Sequence, residues 1–499
     1  MTYEDSSDSG SLHIRFFLFL GCYFAFHVVL RVLVSDSLDY DEAEQALLGQ
    51  WLAAGYTEQP PLYTWIQYFF FQLFGRNVFA VSLLKNLLLF LTYIFVFFSS
   101  SKILKNNRAA ILATASLLLI PQIGWESQRD MTHTTLVVMI AAATLWQAMR
   151  LVKSQSLMHY CLLGLLIGIG FLSKANFGLF LVILFFALLT VPEGRKIILN
   201  PQILITLIIS IVVSWYYFIW IFNNPDIFFS ATYKFRRGAG NYFFSGTLSV
   251  FIKSFLFLSP LWLIYLIVFP AGFSPRKKFA DSFYSLFMTR YMLSLIFVLL
   301  VVVLLFKVSY VKDRWLQPLL FATPIFFFSR LAPDRIDPKR FKTFLIIAAT
   351  AGVAIYAAFT LRVAGGYYTR DFCRLNYPFT AIADDIRQAG FSPGIIVSDN
   401  RFIAGNMLFR FPASTALIPD YRFEKLVEYS GENTIAVFWQ ADRSPIIPDN
   451  LARFLKKVYF VDTEEFPISY FEHPYKFGRI TDTVKLAMIQ FPLKEEPEE

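Results

Sequence analysis

The sequence predicts a polytopic α-helical membrane protein of about eleven transmembrane helices, followed by a small soluble α/β domain. The membrane part follows from composition, because 56% of the 499 residues are hydrophobic and only 16% are charged, which is far more apolar than a water-soluble fold needs. The soluble part follows from a change after the last apolar run, where charge and proline rise from Asp371 onward. The predicted domains are therefore residues 1–362 and 363–499.

Long apolar runs predict the eleven spans. The first extends from Arg15 to Val34, and it is a retained span rather than a signal peptide because it is too long and lacks a small-residue cleavage site. The other ten lie at about residues 77–101, 109–121, 132–149, 160–173, 175–192, 202–222, 248–270, 291–306, 315–329 and 343–361.

Charge predicts the orientation. The net charge is +9, but the basic residues form short clusters between apolar runs, which indicates cytoplasmic loops and not a nucleic-acid surface. These clusters contain Lys102, Lys105, Arg108, Arg150, Lys153, Arg195, Lys196, Arg276, Lys277, Lys278, Arg290, Arg330, Arg335, Lys339, Arg340 and Lys342. The N-terminus is then cytoplasmic. The first loop (35–76), the basic loop (223–247) and the C-terminal domain share the outer side.

The C-terminal domain shows short apolar runs of strand length at 394–399, 434–439, 456–462 and 484–491. A helical pattern, AIADDIRQAG, ends at Gly390. The segment carries no recognisable chemical motif, and its strand order is not readable from the sequence. The three cysteines, Cys22, Cys161 and Cys373, do not form a disulfide framework and are interpreted as structural.

The first loop is the most acidic stretch of the chain. Six carboxylates crowd it: Asp36, Asp39, Asp41, Glu42, Glu44 and Glu58. Because charges this dense are costly in hydrocarbon, the loop must lie in water or in a protein-lined cavity.

From Asp41 onward, the spacing of Ala43, Ala46, Leu47, Trp51 and Ala54 predicts an amphipathic helix lying along the membrane interface. Asp41 stands at or near its N-terminus, where the helix dipole favours an ionised carboxylate. In the simplest interpretation, Asp39 and Asp41 are caps, and Glu42 and Glu44 form a solvated face. We adopt that interpretation for the two glutamates but not for Asp41, because the rigid Glu58-Gln59-Pro60-Pro61 turn returns another carboxylate beside the membrane.

Four local motifs within residues 30–330 resemble motifs of one protein family, and they occur in the same order along the chain as in that family. They are Asp41-Glu42-Ala43 with GYTEQPPL (55–62) and Trp65, RDMT (129–132), FLSK (171–174) before Phe177-Gly178, and KDRWLQP (312–318) before Pro324. Together they resemble the GT-C glycosyltransferases of family 39/83 type, the group of bacterial lipid A aminoarabinose transferases and of protein mannosyltransferases. Two departures leave the sugar open: Gln59 stands where that branch often has a lysine, and SKAN (173–176) replaces its TKGP.

The resemblance implies transfer of a sugar, with inversion, from a polyprenyl-phosphate carrier to a hydroxyl of an envelope acceptor at the periplasmic face of a bacterial inner membrane. The acceptor is lipid A, the lipopolysaccharide core, another glycan or a protein. A lipid-carried donor fits the residues independently, because nucleotide sugars are absent outside and the chain contains no Rossmann or Walker fingerprint. Asp39-Tyr40-Asp41 matches DxD, the metal–nucleotide motif of soluble glycosyltransferases, but a match of three residues occurs too often by chance to be evidence for such a site.

Under this resemblance Asp41 is the general base. Cations on the outer side are the candidates to meet the donor phosphate: Lys174, Arg129, Arg236, Arg237, Lys312 and Arg314. Lys174 stands out because a lone lysine between two apolar runs needs an anionic partner, the alternative being a side chain that snorkels from a helix end. The arginines 236 and 237 lie in a glycine-rich, aromatic stretch that is equally well a mobile cover or an ordinary basic loop.

Four further residues are predicted to bind the acceptor or to support the site: Asp39, Glu58, Asp130 and His133. Asp130 and His133 share a helix face; together with Glu58 they also suggest a divalent metal, which we leave unassigned because the chain has no zinc-type motif.

Two other function classes stay open at this level. A transporter or flippase of lipid-linked saccharides also needs many spans, although it usually has polar groups in broken helices and repeated halves. The other is a catalytically silent scaffold.

Overall fold

The computed structural model of the chain describes residues 3–57, 59–230, 241–270, 283–421 and 434–492. Its residues form two compact units. The first contains Met1–Ala25, Thr57–Tyr63 and Lys85–Ile355, and the second contains Phe26–Tyr56, Thr64–Leu84 and Tyr356–Glu499. The second unit thus combines most of the acidic first loop with the C-terminal segment.

Helices account for most of the described chain up to residue 369. In chain order they are α1 (Tyr3–Val34), α2 (Tyr40–Leu48), α3 (Leu62–Phe74), α4 (Val78–Leu104), α5 (Asn107–Ala115), α6 (Pro121–Gly124), α7 (Glu126–Asp130), α8 (His133–Lys153), α9 (Leu157–Phe171), α10 (Phe177–Leu189), α11 (Pro192–Ile198), α12 (Ile203–Asn223), α13 (Pro225–Phe229), α14 (Tyr242–Phe257), α15 (Leu261–Val268), α16 (Phe283–Phe306), α17 (Asp313–Leu320), α18 (Thr323–Ser329), α19 (Pro338–Ala364) and α20 (Gly366–Thr369).

All eleven predicted spans fall on helices, but not all of them on long ones. Among the described residues, six helices are long and apolar enough to cross a membrane, namely α4, α8, α12, α16, α19 and Ser11–Val34 of α1. Three sharply bent helix pairs raise the number to nine. The two remaining predicted spans correspond to α9, which has 15 residues, and to the short helices α17 and α18.

Proline explains where the bent pairs break. Pro121 and Pro192 stand at the first positions of α6 and α11, and Pro260 immediately precedes α15. Proline has no backbone N–H to continue the hydrogen-bond ladder of the preceding turn, so it starts a helix but does not extend one. The bends are 76°, 120° and 58° in chain order.

Small residues allow a close helix contact in the first unit, between α9 and α12. A Cβ atom on Gly164 would lie 2.6 Å from the Thr206 carbonyl oxygen, and one on Gly168 would lie 2.6 Å from the Val213 Cβ. Both distances are below van der Waals contact, so only glycine allows this approach. Small residues at helix interfaces are the usual device for tight packing in membranes.

The second unit contains a five-stranded sheet of order β2-β1-β3-β5-β4. The strands are β1 (Ile395–Ser398), β2 (Thr415–Leu417), β3 (Thr434–Gln440), β4 (Ser469–Pro474) and β5 (Thr483–Pro492). Strand β1 is parallel to β2 and β3, with Ile396 opposite Ala416 and Ala436. Strand β5 pairs antiparallel with β3 and β4. The accompanying helices are α21 (Phe379–Gln388), α22 (Arg401–Arg410) and α23 (Asp449–Val458).

Three of the four predicted strands are confirmed as β1, β3 and β5. The prediction of a strand at 456–462 is wrong, because this stretch contains the end of α23 followed by coil. Leu451 and Leu455 are both fully buried, and their spacing of four residues is helical, not extended. The predicted helix end at Gly390 is confirmed, since this residue has φ +91°, a conformation that favours glycine.

Helix α2 packs against α22, inside the second unit. Ala43, Ala46 and Leu47 are fully buried in one hydrophobic cluster with residues of α22 such as Ile403 and Met407. Protein therefore covers the apolar face of α2, and the position of this helix relative to the membrane interface stays a prediction. The helix also ends at Leu48, so Trp51 and Ala54 lie beyond it. Sequence reasoning missed α3, which occupies part of the predicted 35–76 loop.

The contact between α2 and α22 predicts a sensitive position. A Cβ atom on Gly405 would lie 2.2 Å from the Ala43 carbonyl oxygen, so we expect Gly405→Val to force the helices apart and to destabilise the protein by about 1–3 kcal/mol, the usual effect of overpacking. Thermal unfolding of the purified chain measures the change. Gly178→Ala, whose Cβ meets an ordinary contact at 3.9 Å, is the control, and equal stability of both variants would contradict the packing argument.

Candidate functional site

Asp39 organises the acidic loop. Its side chain is 1% exposed and contacts two guanidinium groups, Arg362 at 3.2 Å and Arg374 at 3.1 Å. It also caps α2, because its carboxylate accepts hydrogen bonds from the backbone N–H groups of Tyr40 and Glu42, while the Glu42 carboxylate accepts one from the Asp39 N–H. This reciprocal arrangement is a capping box. Asp39 therefore fixes the start of α2; a role in binding the acceptor stays a prediction.

Glu42 and Glu44 do not form the solvated face that we expected. Glu42 is 1% exposed, and its carboxylate lies 2.7 Å from the guanidinium of Arg31. Glu44 is 6% exposed; it pairs with Arg401 and accepts a 2.6 Å hydrogen bond from the Tyr421 hydroxyl. The expectation fails because cations from α1 and from the C-terminal segment neutralise both glutamates, and buried carboxylates persist only when paired in this way.

Asp41, the predicted general base, lies in the first turn of α2 and is half-buried. Its neighbour Tyr40 is flanked by two cations, with the guanidinium carbons of Arg374 and Arg401 at 4.7 Å and 4.2 Å from the ring centroid. The helix that presents Asp41 is thus held by its cap, by its buried glutamates and by its apolar face. The structure gives Asp41 a fixed backbone next to positive charge, and its catalytic role stays a prediction.

Hydrogen bonds join the rest of the loop to the C-terminal segment. The hydroxyls of Ser35 and Ser37 donate to the carbonyl oxygens of Leu375 and Tyr377, each at 2.6 Å. The Leu38 N–H donates to the Asn406 side chain at 2.8 Å. These contacts order the chain between the end of α1 and the start of α2.

Asp36 adds a charged contact to the same attachment. Its carboxylate lies 3.0 Å from Arg410 and 3.7 Å from Lys476, and it accepts a hydrogen bond from the Thr380 hydroxyl. Burial alone would raise the pKa of Asp36, but the hydrogen bond and the two positive charges outweigh burial. The pKa therefore lies below its ordinary value of 3.8.

The first unit contains a second group of polar side chains, all buried except the half-buried Lys174, which we call the polar cluster: Lys85, Asn86, Gln128, Asp130, His133, Thr134 and Lys174. The Nζ atom of Lys85 lies 3.4 Å from the Gln128 carbonyl oxygen, and the Gln128 side chain donates to Asn86 at 2.8 Å. Asp130 and His133 are each 5% exposed. The expectation that they share a helix face is wrong, because Asp130 ends α7 and His133 begins α8. Polar groups buried among apolar helices are expensive, which makes such a cluster a candidate functional site.

Lys174 belongs to this cluster through Thr134. Its Nζ atom donates to the Thr134 hydroxyl at 2.5 Å, and Thr134 directly follows His133 on α8. The segment after Glu58 reaches the same place, because the Leu62 N–H donates to the Leu172 carbonyl at 3.0 Å and the Tyr63 ring lies 5.4 Å from that of His133. The structure therefore brings Asp130, His133 and Lys174 into one region of the first unit.

The other predicted cations within the described residues are Arg129, Lys312 and Arg314. Arg129 pairs with Glu126 at 2.6 Å, and both side chains are about one-third exposed. Lys312 precedes α17 and Arg314 lies exposed in its first turn. The α17 backbone approaches the Lys174 turn through Asn176, which donates to the Trp315 carbonyl at 3.5 Å. Arg236, Arg237 and Glu58 lie outside the described residues.

Lys85 is the residue that sequence reasoning missed. It is 2% exposed and lies within α4, one of the long apolar helices. The signal was present, because Lys85 and Asn86 interrupt an apolar run just as Lys174 does, and the same argument about the cost of a buried cation applies to both.

Metal ligands do not group together in the described part of the chain: no three His, Cys, Asp or Glu side chains there are arranged to hold an ion. Asp130 and His133 alone do not make a metal centre, and the third predicted ligand, Glu58, lies outside the described residues. A metal stays unassigned.

Comparison with protein families and curated proteins finds three informative similarities. Residues 58–220 match the model of the dolichyl-phosphate-mannose-protein mannosyltransferase family. The lipopolysaccharide core galacturonosyltransferase RgtB of Rhizobium johnstonii is 30% identical over 480 residues, which cover 94% of this chain and 96% of the relative. RgtA of the same organism, also a lipopolysaccharide core galacturonosyltransferase, is 29% identical over 487 residues, with the same coverage.

Comparison with solved structures finds the same fold in ArnT from Cupriavidus metallidurans. The apo structure has a TM-score of 0.58 at 13% identity and covers 94% of this chain and 97% of that one. The structure of ArnT bound to undecaprenyl phosphate has the same TM-score at 12% identity, with coverage of 94% and 98%. The predicted combination of membrane helices and a C-terminal α/β part is thereby confirmed.

Asp36 makes the attachment of the loop sensitive to acid. Because its folded pKa lies below the ordinary 3.8, the contact stabilises the fold above that pH, and the stabilisation is lost as the pH falls through the lower, folded value. We therefore expect the unfolding temperature of the wild type to fall more steeply below pH 3.8 than that of Asp36→Asn. The exposed Asp420→Asn is the control and should follow the wild type, whereas identical acid profiles for all three proteins would refute the prediction.

Proposed function

Since the chain belongs to the GT-C family of membrane glycosyltransferases, to which the lipopolysaccharide core galacturonosyltransferases also belong, we propose that it transfers a sugar from a polyprenyl-phosphate carrier to a hydroxyl of the lipopolysaccharide core. The observation that carries the proposal is the match to RgtB along almost the full length of both chains. A transporter of lipid-linked saccharides or a silent scaffold does not account for that match. The chain is a multi-pass membrane enzyme.

The proposed sugar is a hexuronic acid, because the two curated relatives are named galacturonosyltransferases. The proposed carrier rests on ArnT, which has the same fold and was solved with undecaprenyl phosphate. Gln59, in place of the lysine often found in the aminoarabinose branch, is consistent with a donor other than aminoarabinose. The reaction is proposed to occur on the periplasmic side of the inner membrane, with the basic loops in the cytoplasm.

In the proposed mechanism Asp41 acts as general base. The acceptor oxygen attacks the anomeric carbon of the donor from the face opposite the phosphate, and its proton passes to the Asp41 carboxylate. The bond between the anomeric carbon and the phosphate oxygen breaks, and the electron pair leaves with the lipid phosphate, so the configuration inverts. A positioned base typically contributes about 10²- to 10⁴-fold to the rate.

The polar cluster supplies cations suited to an anionic donor. We propose that Lys174 meets the phosphate, because it donates to Thr134, which sits among buried polar groups, and because charge-assisted contacts stabilise a leaving group well where water is scarce. Lys85, which is almost fully buried, is a second candidate, and a uronic acid donor carries a carboxylate besides its phosphate. Arg236, Arg237, Lys312 and Arg314 stay candidates, whereas Arg129 is the weakest since Glu126 neutralises it.

We also propose a role for the C-terminal segment. The predicted domain boundary near residue 362 separates a membrane part from a periplasmic α/β domain, and the contacts of Arg374, Arg401 and Gly405 with the acidic loop suggest what that domain does. It holds the helix that carries Asp41. A separate binding function is not needed to explain its presence.

The proposed function predicts a change in the product. Mass analysis of lipopolysaccharide from cells that lack this chain should show a core lighter by one hexuronic acid, and expression of the wild type should restore the mass. Asp41→Asn should not restore it, because an amide does not accept the proton. The exposed Asp371→Asn is the matched control and should restore the mass. A lost mass other than that of a hexuronic acid would refute the proposed sugar, and restoration by Asp41→Asn would refute the proposed base.

Measurements on purified enzyme separate the proposed roles of Lys174 and Asp41. Lys174→Met should weaken binding of the polyprenyl-phosphate donor and lower turnover, because the charge that meets the phosphate is gone. Asp41→Asn should keep donor binding and lower turnover by about 10²- to 10⁴-fold. Lys102→Gln, an exposed lysine at the end of α4, is the control. Unchanged donor affinity in Lys174→Met would show that Lys174 does not contact the phosphate.

A further inference from the structure

An apolar cavity of about 250 Å³ lies in the first unit among α1, α5 and α19. Ten of its eleven lining residues are apolar, and the only charged one is Arg15. Three alanines, Ala115, Ala348 and Ala349, leave the space that larger side chains would fill. The cavity therefore suits a hydrocarbon chain better than a polar ligand.

The cavity opens on an apolar surface. On α1 the side chains of Ile14, Leu18 and Phe19 are 61%, 63% and 46% exposed, and Ile346 on α19 is 55% exposed. Exposed apolar faces of this kind in a membrane protein face lipid. A hydrocarbon chain reaches the cavity from the bilayer, so the occupant is a lipid and not a soluble metabolite.

Positive charge surrounds one end of the cavity. Arg15 lines it and is exposed. Arg108 stands one helical turn before the lining residue Ile111, with its guanidinium carbon 6.0 Å from the Phe341 ring centroid. Lys342 is exposed and stands one turn before Leu345, which also lines the cavity. Each of the three helices thus contributes a cation at, or within one turn of, a residue that lines the cavity.

We propose that this cavity binds an anionic glycerophospholipid of the bilayer, with an acyl chain in the cavity and the phosphate at Arg15. Basic pockets between membrane helices are typical sites for anionic head groups on the cytoplasmic side, where the basic loops assign this end of α1, α5 and α19. The lipid fills a space between the three helices. Because it binds only the folded chain, it stabilises that state.

Native mass spectrometry of the full-length chain in mild detergent tests the proposal, with phosphatidylglycerol and phosphatidylcholine of the same acyl composition as probes. We expect the first phosphatidylglycerol to bind about fivefold more tightly than phosphatidylcholine, and to raise the unfolding temperature. Arg15→Gln should remove this preference without changing phosphatidylcholine binding. Ala348→Phe should weaken both lipids, because the ring occupies the cavity.

Two matched variants control for position. Ala354→Phe places the same ring on the exposed face of α19, and Arg195→Gln removes an exposed basic residue of α11; both should bind lipid like the wild type. Equal binding of the two lipids, or an unchanged preference in Arg15→Gln, would overturn the proposal even if Ala348→Phe fails to fold. Displacement of phosphatidylglycerol by undecaprenyl phosphate would also overturn it, because the cavity would then belong to the donor.

Discussion

The buried carboxylate of Asp39 is the interaction on which the acidic loop depends. One side chain, 1% exposed, caps α2 and neutralises two arginines of the C-terminal segment. A buried ion pair of this kind adds little net stability over an apolar alternative, but removing one partner leaves uncompensated charge and costs several kcal/mol. The contact therefore favours the register of the loop in which Asp39 meets both Arg362 and Arg374.

The two glutamates that follow extend the same constraint along α2. Arg31 at the end of α1 engages Glu42, and Arg401 at the start of α22 engages Glu44. Together with the close approach at Gly405, these pairs leave the helix little freedom to rotate or slide. Such rigidity suits a catalytic base, because a base is effective only when it is held within hydrogen-bond reach of the proton it accepts. The polar cluster of the first unit differs from α2, because its polar groups lie among apolar helices, where burying them costs free energy.

Much of the architecture follows from the sequence, because long apolar runs and short strand-length runs leave clear patterns. The first-loop helix and Lys174 were found by periodicity and by the cost of a lone charge. The environments of Glu42 and Glu44 were not, because their partners include Arg401, 357 positions away in the chain, and no local pattern shows such a pairing. Lys85 was missed although its pattern is local, because a lysine that interrupts an apolar run was recognised only at Lys174. The helix breaks at Pro121 and Pro192 were also predictable from the sequence, since proline cannot donate the backbone hydrogen bond that would continue the preceding helix.

The hydrogen bond between Ser35 and the carbonyl of Leu375 joins residues 340 positions apart, and this has a consequence for biosynthesis. At translation rates of about 5–20 residues per second, the ribosome needs roughly 17–68 s after making the acidic loop to deliver its partners. Throughout that interval the nascent loop carries carboxylates whose arginines do not yet exist. A chain truncated before these partners thus leaves the ribosome without the contacts that order the acidic loop.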